Sequence, residues 1–171
     1  MQRFPFVRQC IKCSAKNLVR VDDVFLKAQQ AVLYPFVPPL YNLESGQLTD
    51  SCKRAFARIF RLFDRDRDGL LSDSEIDRFQ RDTYDFAVFD RDLAAWKKVV
   101  SRSNPSESNE PVLQDGKFTV HGFLTIFDVF ISQNRLDVVW QALRKYNYDD
   151  DLNLHVPDSI TNPEASSSWK L

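Results

Sequence analysis

Residues 64–75 read DRDRDGLLSDSE and decide the fold. Three aspartates stand two residues apart, and alternate residues of a tightly coiled loop point towards one centre. A glycine follows for the sharp turn, and a glutamate closes the stretch as its twelfth residue. The order of oxygen donors is the one that a hard cation such as calcium needs. The predicted ligands are the side chains of Asp64, Asp66, Asp68, Ser72 and Glu75 and the backbone carbonyl of Leu70.

Helical patterns flank this loop on both sides. The apolar residues before it recur at i, i+3, i+4 and i+7, which is the spacing of one helix face. They are Phe56, Ile59, Phe60 and Phe63, and Ile76 and Phe79 follow behind the loop. An acidic helix–turn–helix without an ion is the weaker alternative, because six specified positions all match the motif. We therefore predict an EF-hand that binds one calcium ion.

A second EF-hand is expected downstream, because a single loop strand leaves an unpaired edge. Leu71 stands at the strand position of the first loop. The stretch QDGKFTVHGFLTIFDVF, residues 114–130, fits the same template with Gly116 at the turn and Phe118 at the strand position. Its ligand positions fail, since Pro111, Leu113 and Gly122 replace the first, third and last carboxylates and only Asp115 remains. We predict a degenerate hand that binds no metal, while an unrelated loop and helix stays the alternative, since alignment on a glycine is permissive.

Three more helices complete the mainly α fold that the sequence predicts. An entering helix over 90–102 carries Leu93, Trp96 and Val100 on one face and is followed by a polar connection, SNPSESNEP. The exiting helix and a further helix over 136–146 also show apolar stripes. These stripes are Phe123, Ile126, Phe127 and Phe130, and then Leu136, Val139, Trp140, Leu143 and Tyr146.

The helix over 136–146 allows two interpretations that overlap. It can lie in the apolar groove that an EF-hand pair opens, as a target helix would, with Trp140 as the anchor. It can equally be the fifth helix of the core, because both interpretations bury the same face. The polar residues from 157 to 171 predict a disordered tail.

Composition excludes several classes of function. The chain has 171 residues, 43% of them hydrophobic, and its net charge of −1 argues against a nucleic-acid binder. We find no apolar run of the roughly 20 residues that would span a bilayer, and no secretory leader at the start of the chain. Three cysteines make no disulfide framework and favour a reducing, cytosol-facing location. Cys10 and Cys13 are predicted in a buried strand rather than in a zinc site, which would need four ligands.

The N-terminal segment carries a resemblance to a known family. Residues 6–16 have the pattern of a short strand that ends in Ser14-Ala15-Lys16, and an amphipathic helix over 22–33 follows. Next come YPFVPPLYN at 34–42 and the EF-hand pair with its degenerate second hand. In this order the chain resembles the mitochondrial Rho GTPase (Miro) family.

The resemblance implies a division of the chain into four parts. Residues 1–42 would be the remnant of a Ras/Rho-like GTPase domain and a linker, with Ser14, Ala15 and Lys16 similar to a guanine-contacting loop. Residues 43–132 would be the EF-hand pair, 133–156 a ligand-mimicking helix and 157–171 the tail. A strand without its sheet is not expected to stay ordered, whereas the helix over 22–33 is expected to form and to contribute little stability.

The resemblance also implies a function. It indicates calcium-sensitive control of mitochondrial transport and organisation, with motor-adaptor proteins as partners and the mitochondrial outer membrane as the family's location. GTP hydrolysis is not expected of this chain, because its one Gly-Lys pair, Gly116-Lys117, lacks the rest of a phosphate-binding loop. We expect neither GTP binding, nor a membrane anchor, nor enzyme activity from it. The alternative is a structural or adaptor-binding module that calcium only stabilises.

Overall fold

The computed structural model describes residues 10–34, 39–42, 44–102 and 110–156. Six helices and two small antiparallel strand pairs form this described part, so the mainly α fold predicted from the sequence is confirmed. In chain order the elements are α1 (Val21–Leu33), β1 (Tyr41–Asn42), β2 (Gln47–Leu48), α2 (Asp50–Phe63), α3 (Asp73–Tyr84), α4 (Asp90–Arg102), β3 (Leu113–Gln114), β4 (Lys117–Phe118), α5 (Val120–Ser132) and α6 (Leu136–Lys145).

The first hand consists of α2, the loop 64–75 and α3. Thr49 caps α2, and its hydroxyl oxygen accepts a hydrogen bond of 3.2 Å from the Cys52 amide. The apolar stripe predicted for α2 is buried, as are Ile76 and Phe79 of α3. Ser72 and Glu75 form a capping box at the start of α3, so local sequence defines where the loop ends and the helix begins.

The second hand consists of α4, the hairpin β3–β4 and α5. The hairpin turns at Asp115 and Gly116, whose φ angles are 51° and 75°. Positive φ at both central residues is typical of a two-residue type I′ turn, which favours Asp-Gly. The helix predicted over 90–102 is confirmed as α4, and the predicted exiting stripe lies on α5.

The two hands meet through a short β-bridge and a core of phenylalanines. The Leu71 amide donates to the Phe118 carbonyl at 2.7 Å, and the Phe118 amide donates back at 2.9 Å. The predicted pairing of these two strand positions is therefore confirmed. Phe56 of α2 stacks on Phe127 of α5 with ring centroids 3.7 Å apart, and Phe123 meets both rings edge-on.

Helix α6 packs against α3 and α5 and completes the core. Trp140 and Leu143 are fully buried on its inner face. The Tyr84 hydroxyl of α3 donates to the Val138 carbonyl at 3.0 Å. The Tyr146 hydroxyl, just after α6, lies 2.8 Å from the hydroxyl of Thr83 and 2.8 Å from the carboxylate of Asp82. These contacts attach α6 to the last turn of α3. This burial fits both interpretations of the helix.

Helix α1 forms as predicted, but each of its described side chains is at least partly exposed. It is held at its C-terminal end, where the Arg144 guanidinium donates to the Leu33 carbonyl at 2.7 Å and lies over the Tyr34 ring. The strand predicted over 6–16 falls partly outside the described residues. In its described part, residues 10–16, the backbone forms a single isolated bridge, between Ser14 and Val19.

The prediction that Cys10 and Cys13 lie in a buried strand is wrong, because both side chains are exposed. The described residues around them form no ladder with another strand that could cover them. Cys52, by contrast, is buried in α2, and burial raises the pKa of its thiol to about 12. The predicted tail over 157–171 lies outside the described residues. Within them, no helix has both the length and the apolar character needed to cross a membrane.

Candidate metal centre

The loop between α2 and α3 gathers three carboxylates. One carboxylate oxygen from each of Asp64, Asp66 and Asp68 lies within 4.8 Å of the other two. We call these three residues the aspartate triad. They are three of the six ligands predicted from the sequence, and they converge because they alternate along a coiled loop.

Backbone amides hold the triad in place. The Gly69 amide donates to Asp64 Oδ2 at 3.1 Å, and the Leu70 amide donates to Asp68 Oδ1 at 2.8 Å. The Asp68 amide donates to Asp66 Oδ1 at 3.3 Å. Gly69 has a φ of 80°, a conformation that glycine adopts without steric strain. The loop therefore closes around the triad by hydrogen bonds of its own.

One buried oxygen of the triad lacks any hydrogen-bond donor among the described residues. Asp64 Oδ1 is buried and accepts no hydrogen bond from any residue that the structure describes. A buried polar atom without a partner is unfavourable unless something else satisfies it. A hard cation would do so, and carboxylate, carbonyl and hydroxyl oxygens are the donors that calcium prefers. The residues present therefore fit a calcium ion.

Glu75 lies outside the triad and caps α3. Its Oε1 accepts a hydrogen bond of 2.9 Å from the Arg65 amide, and its Oε2 accepts one of 2.9 Å from the Ser72 amide. Burial works against its charge, but the hydrogen bonds from Ser72 and Arg65 outweigh burial and hold the pKa of Glu75 below its usual value. The Ser72 hydroxyl also donates to Glu75 Oε2, at 2.7 Å. Glu75 and Ser72 thus form a second group of oxygen ligands, at the start of α3.

A cation from the second hand also faces the triad. Lys117 Nζ lies 2.5 Å from Asp68 Oδ2 and 3.8 Å from Asp66 Oδ2. This hydrogen bond lowers the pKa of Asp68 and raises the pKa of Lys117. Sequence reasoning missed Lys117. The contact joins residues that are 49 positions apart, and it depends on how the two hands pair with each other.

The second loop has a different construction. The Thr119 hydroxyl donates to the Pro111 carbonyl at 2.7 Å, and Gly122 packs against the backbone of Val112. A side chain at the Gly122 position would meet the Val112 carbonyl oxygen, since an added Cβ would lie 1.9 Å from it. Across the described parts of the chain, the aspartate triad is the one group of at least three acidic, His or Cys side chains with converging ligand atoms.

Ser14, Ala15 and Lys16 lie in a tight turn ahead of α1. The Ser14 and Val19 backbones exchange two hydrogen bonds of 3.0 Å across this turn. The Asn17 amide donates to the Ser14 hydroxyl at 3.3 Å. This turn is far along the chain from the aspartate triad, and the two belong to separate parts of the sequence.

Two comparisons with known proteins agree with this architecture. A family model described as EF hand associated matches residues 88–166, which include α4, the second hairpin, α5 and α6. Mitochondrial Rho GTPase 1 of Mycosarcoma maydis is 36% identical over 185 residues, an alignment that covers 95% of this chain.

The chain is a homologue of the mitochondrial Rho GTPases. The resemblance drawn from the sequence is thereby confirmed. The chain spans 24% of the length of the Mycosarcoma maydis protein. The match to the EF hand associated model indicates that it corresponds to the EF-hand region of such a GTPase.

Proposed function

We propose that the chain is a calcium-binding regulatory module of a mitochondrial Rho GTPase-like protein. The observation that carries the proposal is the buried Asp64 Oδ1, which has no hydrogen-bond partner among the described residues and belongs to a triad of converging carboxylates. A calcium ion would offset the mutual repulsion of these carboxylates. The proposed ligands are Asp64, Asp66, Asp68, the Leu70 carbonyl, Ser72 and Glu75.

Each group of ligands has its own task. The triad supplies charge from the first half of the loop, where backbone amides already orient the carboxylates. Ser72 and Glu75 supply oxygens from the start of α3. Binding at both groups would join the end of α2 to the start of α3 and so define the angle between these helices.

The proposal extends to the organisation of the chain. Residues 1–42 are a segment derived from a GTPase domain with its linker, 43–132 the EF-hand pair, 133–156 an associated helix and 157–171 the tail. In this chain Ser14, Ala15 and Lys16 resemble a guanine-contacting loop but do not form a nucleotide site, and the chain is not an enzyme. The module takes part in calcium-sensitive control of mitochondrial transport at the cytosolic face of the outer membrane, with motor adaptors as partners.

A second candidate function is favoured by the burial of α6. Trp140 is fully buried, and α6 is hydrogen-bonded to α3 through Tyr84 and Tyr146. A helix held in this way favours a structural module in which calcium stabilises one arrangement. The two candidates differ in whether calcium changes the surroundings of Trp140.

The test of calcium binding is isothermal titration of the intact chain and of Glu75 variants. We expect one site per chain. Glu75→Gln keeps a side chain that can cap α3 but loses the charge and one strong ligand, whereas Glu75→Ala loses the cap as well. Both variants should lose nearly all calcium affinity, and Glu75→Ala should in addition lose about 1 kcal/mol of unfolding free energy.

Asp73→Asn is the matched control for these variants. Asp73 belongs to the same loop, but its carboxylate pairs with Lys97 at 2.6 Å and is not part of the triad. The calcium affinity of the Asp73→Asn variant should stay within about twofold of the parent's, as expected when an exposed charge is removed. No uptake of calcium at millimolar concentration would overturn the proposal, and two sites of similar affinity would overturn the metal-free second hand.

A further inference from the structure

The position of Lys117 follows from the pairing of the two hands. Lys117 belongs to β4 and precedes Phe118, whose backbone is bridged to Leu71 of the first loop. This bridge places the lysine side chain over the loop 64–75, which we call the cation loop. The ammonium nitrogen is 2.5 Å from Asp68 Oδ2, and Asp66 Oδ2 is its second neighbour at 3.8 Å.

The lysine engages oxygens that belong to the aspartate triad. Asp68 Oδ1 accepts a hydrogen bond from the Leu70 amide, and Asp68 Oδ2 accepts one from Lys117. Both carboxylate oxygens of Asp68 therefore have a donor. A divalent cation among the same carboxylates would stand close to the ammonium group, and two positive charges at that distance repel each other. Lys117 and a bound cation therefore compete for Asp68.

We propose that Lys117 is an internal counter-ion of the cation loop, which calcium has to displace from Asp68. The inference rests on the proposed calcium function of the loop and deepens it. Lys117 neutralises part of the triad in the metal-free protein and so lowers the affinity for calcium. Displacement of the lysine also transmits calcium binding to the hairpin of the second hand, which has no metal ligands of its own to report it.

A second lysine supplies the matched comparison. Lys97 of α4 also connects the two hands, with Nζ 2.6 Å from Asp73 Oδ1. Both ion pairs are partly exposed, with side-chain exposures of 33% and 34% for Lys117 and Asp68 and of 24% and 55% for Lys97 and Asp73. Asp73 is outside the triad, so loss of Lys97 removes a similar ion pair without freeing a ligand.

Loss of Lys117 should affect the two states of the protein in opposite directions. The metal-free state loses the charge that offsets repulsion within the triad, so its thermal midpoint should fall. Calcium binding no longer requires displacement of the ammonium group, so calcium affinity should rise. If Lys117 had a purely structural role, its loss would lower stability without raising calcium affinity.

The experiment compares the parent chain with Lys117→Gln, Lys117→Arg and Lys97→Gln by calorimetric titration with calcium and by thermal melts without it. Lys117→Gln should bind calcium about threefold more tightly, the size expected when a partly exposed ion pair is removed. Its metal-free thermal midpoint should fall. Lys117→Arg keeps the charge and should stay near the parent, and Lys97→Gln should keep the parent affinity.

Salt supplies an independent readout. The difference in affinity between the parent and Lys117→Gln should shrink as sodium chloride is raised from about 0.05 to 0.5 M, because salt screens the competing charge. An unchanged or weaker affinity of Lys117→Gln, with calcium still bound by the parent, overturns this inference and leaves the proposed function intact. Failure of the parent chain to bind calcium overturns both.

Discussion

Gly122 stands at the twelfth position of the second loop, where the first loop has Glu75. The start of α5 lies so close to the preceding strand that an added Cβ would be 1.9 Å from the Val112 carbonyl oxygen and 2.9 Å from its carbonyl carbon. Backbone atoms cannot yield as a flexible side chain can. A closing carboxylate therefore has no room at this position, and among the described residues only the first hand shows a group of converging carboxylates.

At the residue scale, Gly122→Ala should destabilise the protein by about 3 kcal/mol, near the upper end of the usual cost of overpacking. Gly69→Ala is the comparison, because its Cβ would meet nothing within 4 Å and only its φ of 80° is unfavourable. That variant should lose about 1–2 kcal/mol. Urea unfolding followed by circular dichroism measures both. Equal stability of Gly122→Ala and the parent would show that α5 can shift freely.

At the scale of elements, α3 links the candidate ion site to α6. Glu75 lies in the first turn of α3, whereas Thr83 and Tyr84 lie in its last turn and bond to α6. A change in the direction of α3 at its start would therefore move the groove in which Trp140 lies. Backbone hydrogen bonds make α3 rigid, so a change of direction at its start also moves its end, over a helix of 12 residues.

Tryptophan fluorescence tests this link. In the double variant Trp96→Phe, Trp169→Phe the emission comes from Trp140 alone. We expect calcium to shift that emission, because Trp140 is fully buried and any loosening of the groove changes its contact with water. Glu75→Gln in the same background is the control and should show no shift. An unchanged spectrum with calcium bound would favour the structural module over the regulatory one.

At the scale of the whole molecule, burial is uneven along the chain. The core joins α2, α3, α5 and α6, and Leu40 extends it to the segment before β1. Helix α1 contributes none of its described side chains to this core, and Phe25 and Val32 stand 66% and 80% exposed. Elements with few buried contacts open most easily in the native state.

Hydrogen exchange should show this difference directly. The amides of α1 should exchange at least about a hundredfold faster than those of α2 and α5, because opening α1 exposes little additional apolar surface. Mass spectrometry of peptic fragments from the intact chain would measure the ratio. Protection of α1 equal to that of α2 would show that its apolar face is covered in solution.

The first hand could be predicted from the sequence because its signals are local. Loop spacing, helix periodicity and the Ser72–Glu75 capping pair all act within about a dozen residues, a range over which backbone geometry follows directly from residue type. The degenerate hand was also predictable, since Gly116 and Phe118 repeat the pattern of the first loop. Conversely, the buried strand predicted for Cys10 and Cys13 was wrong, because burial depends on what lies next to a segment.

By itself the sequence determined the helices, the coil of the loop and the convergence of its three aspartates. The tertiary structure alone decided that Lys117 reaches Asp68, that Gly122 touches Val112 and that α6 fills the groove beside α3. These contacts join residues brought together by chain pairing and core packing. The position of Lys117 depends on the register of one bridge, between Leu71 and Phe118. The residue spacing within either loop contains no information about that register.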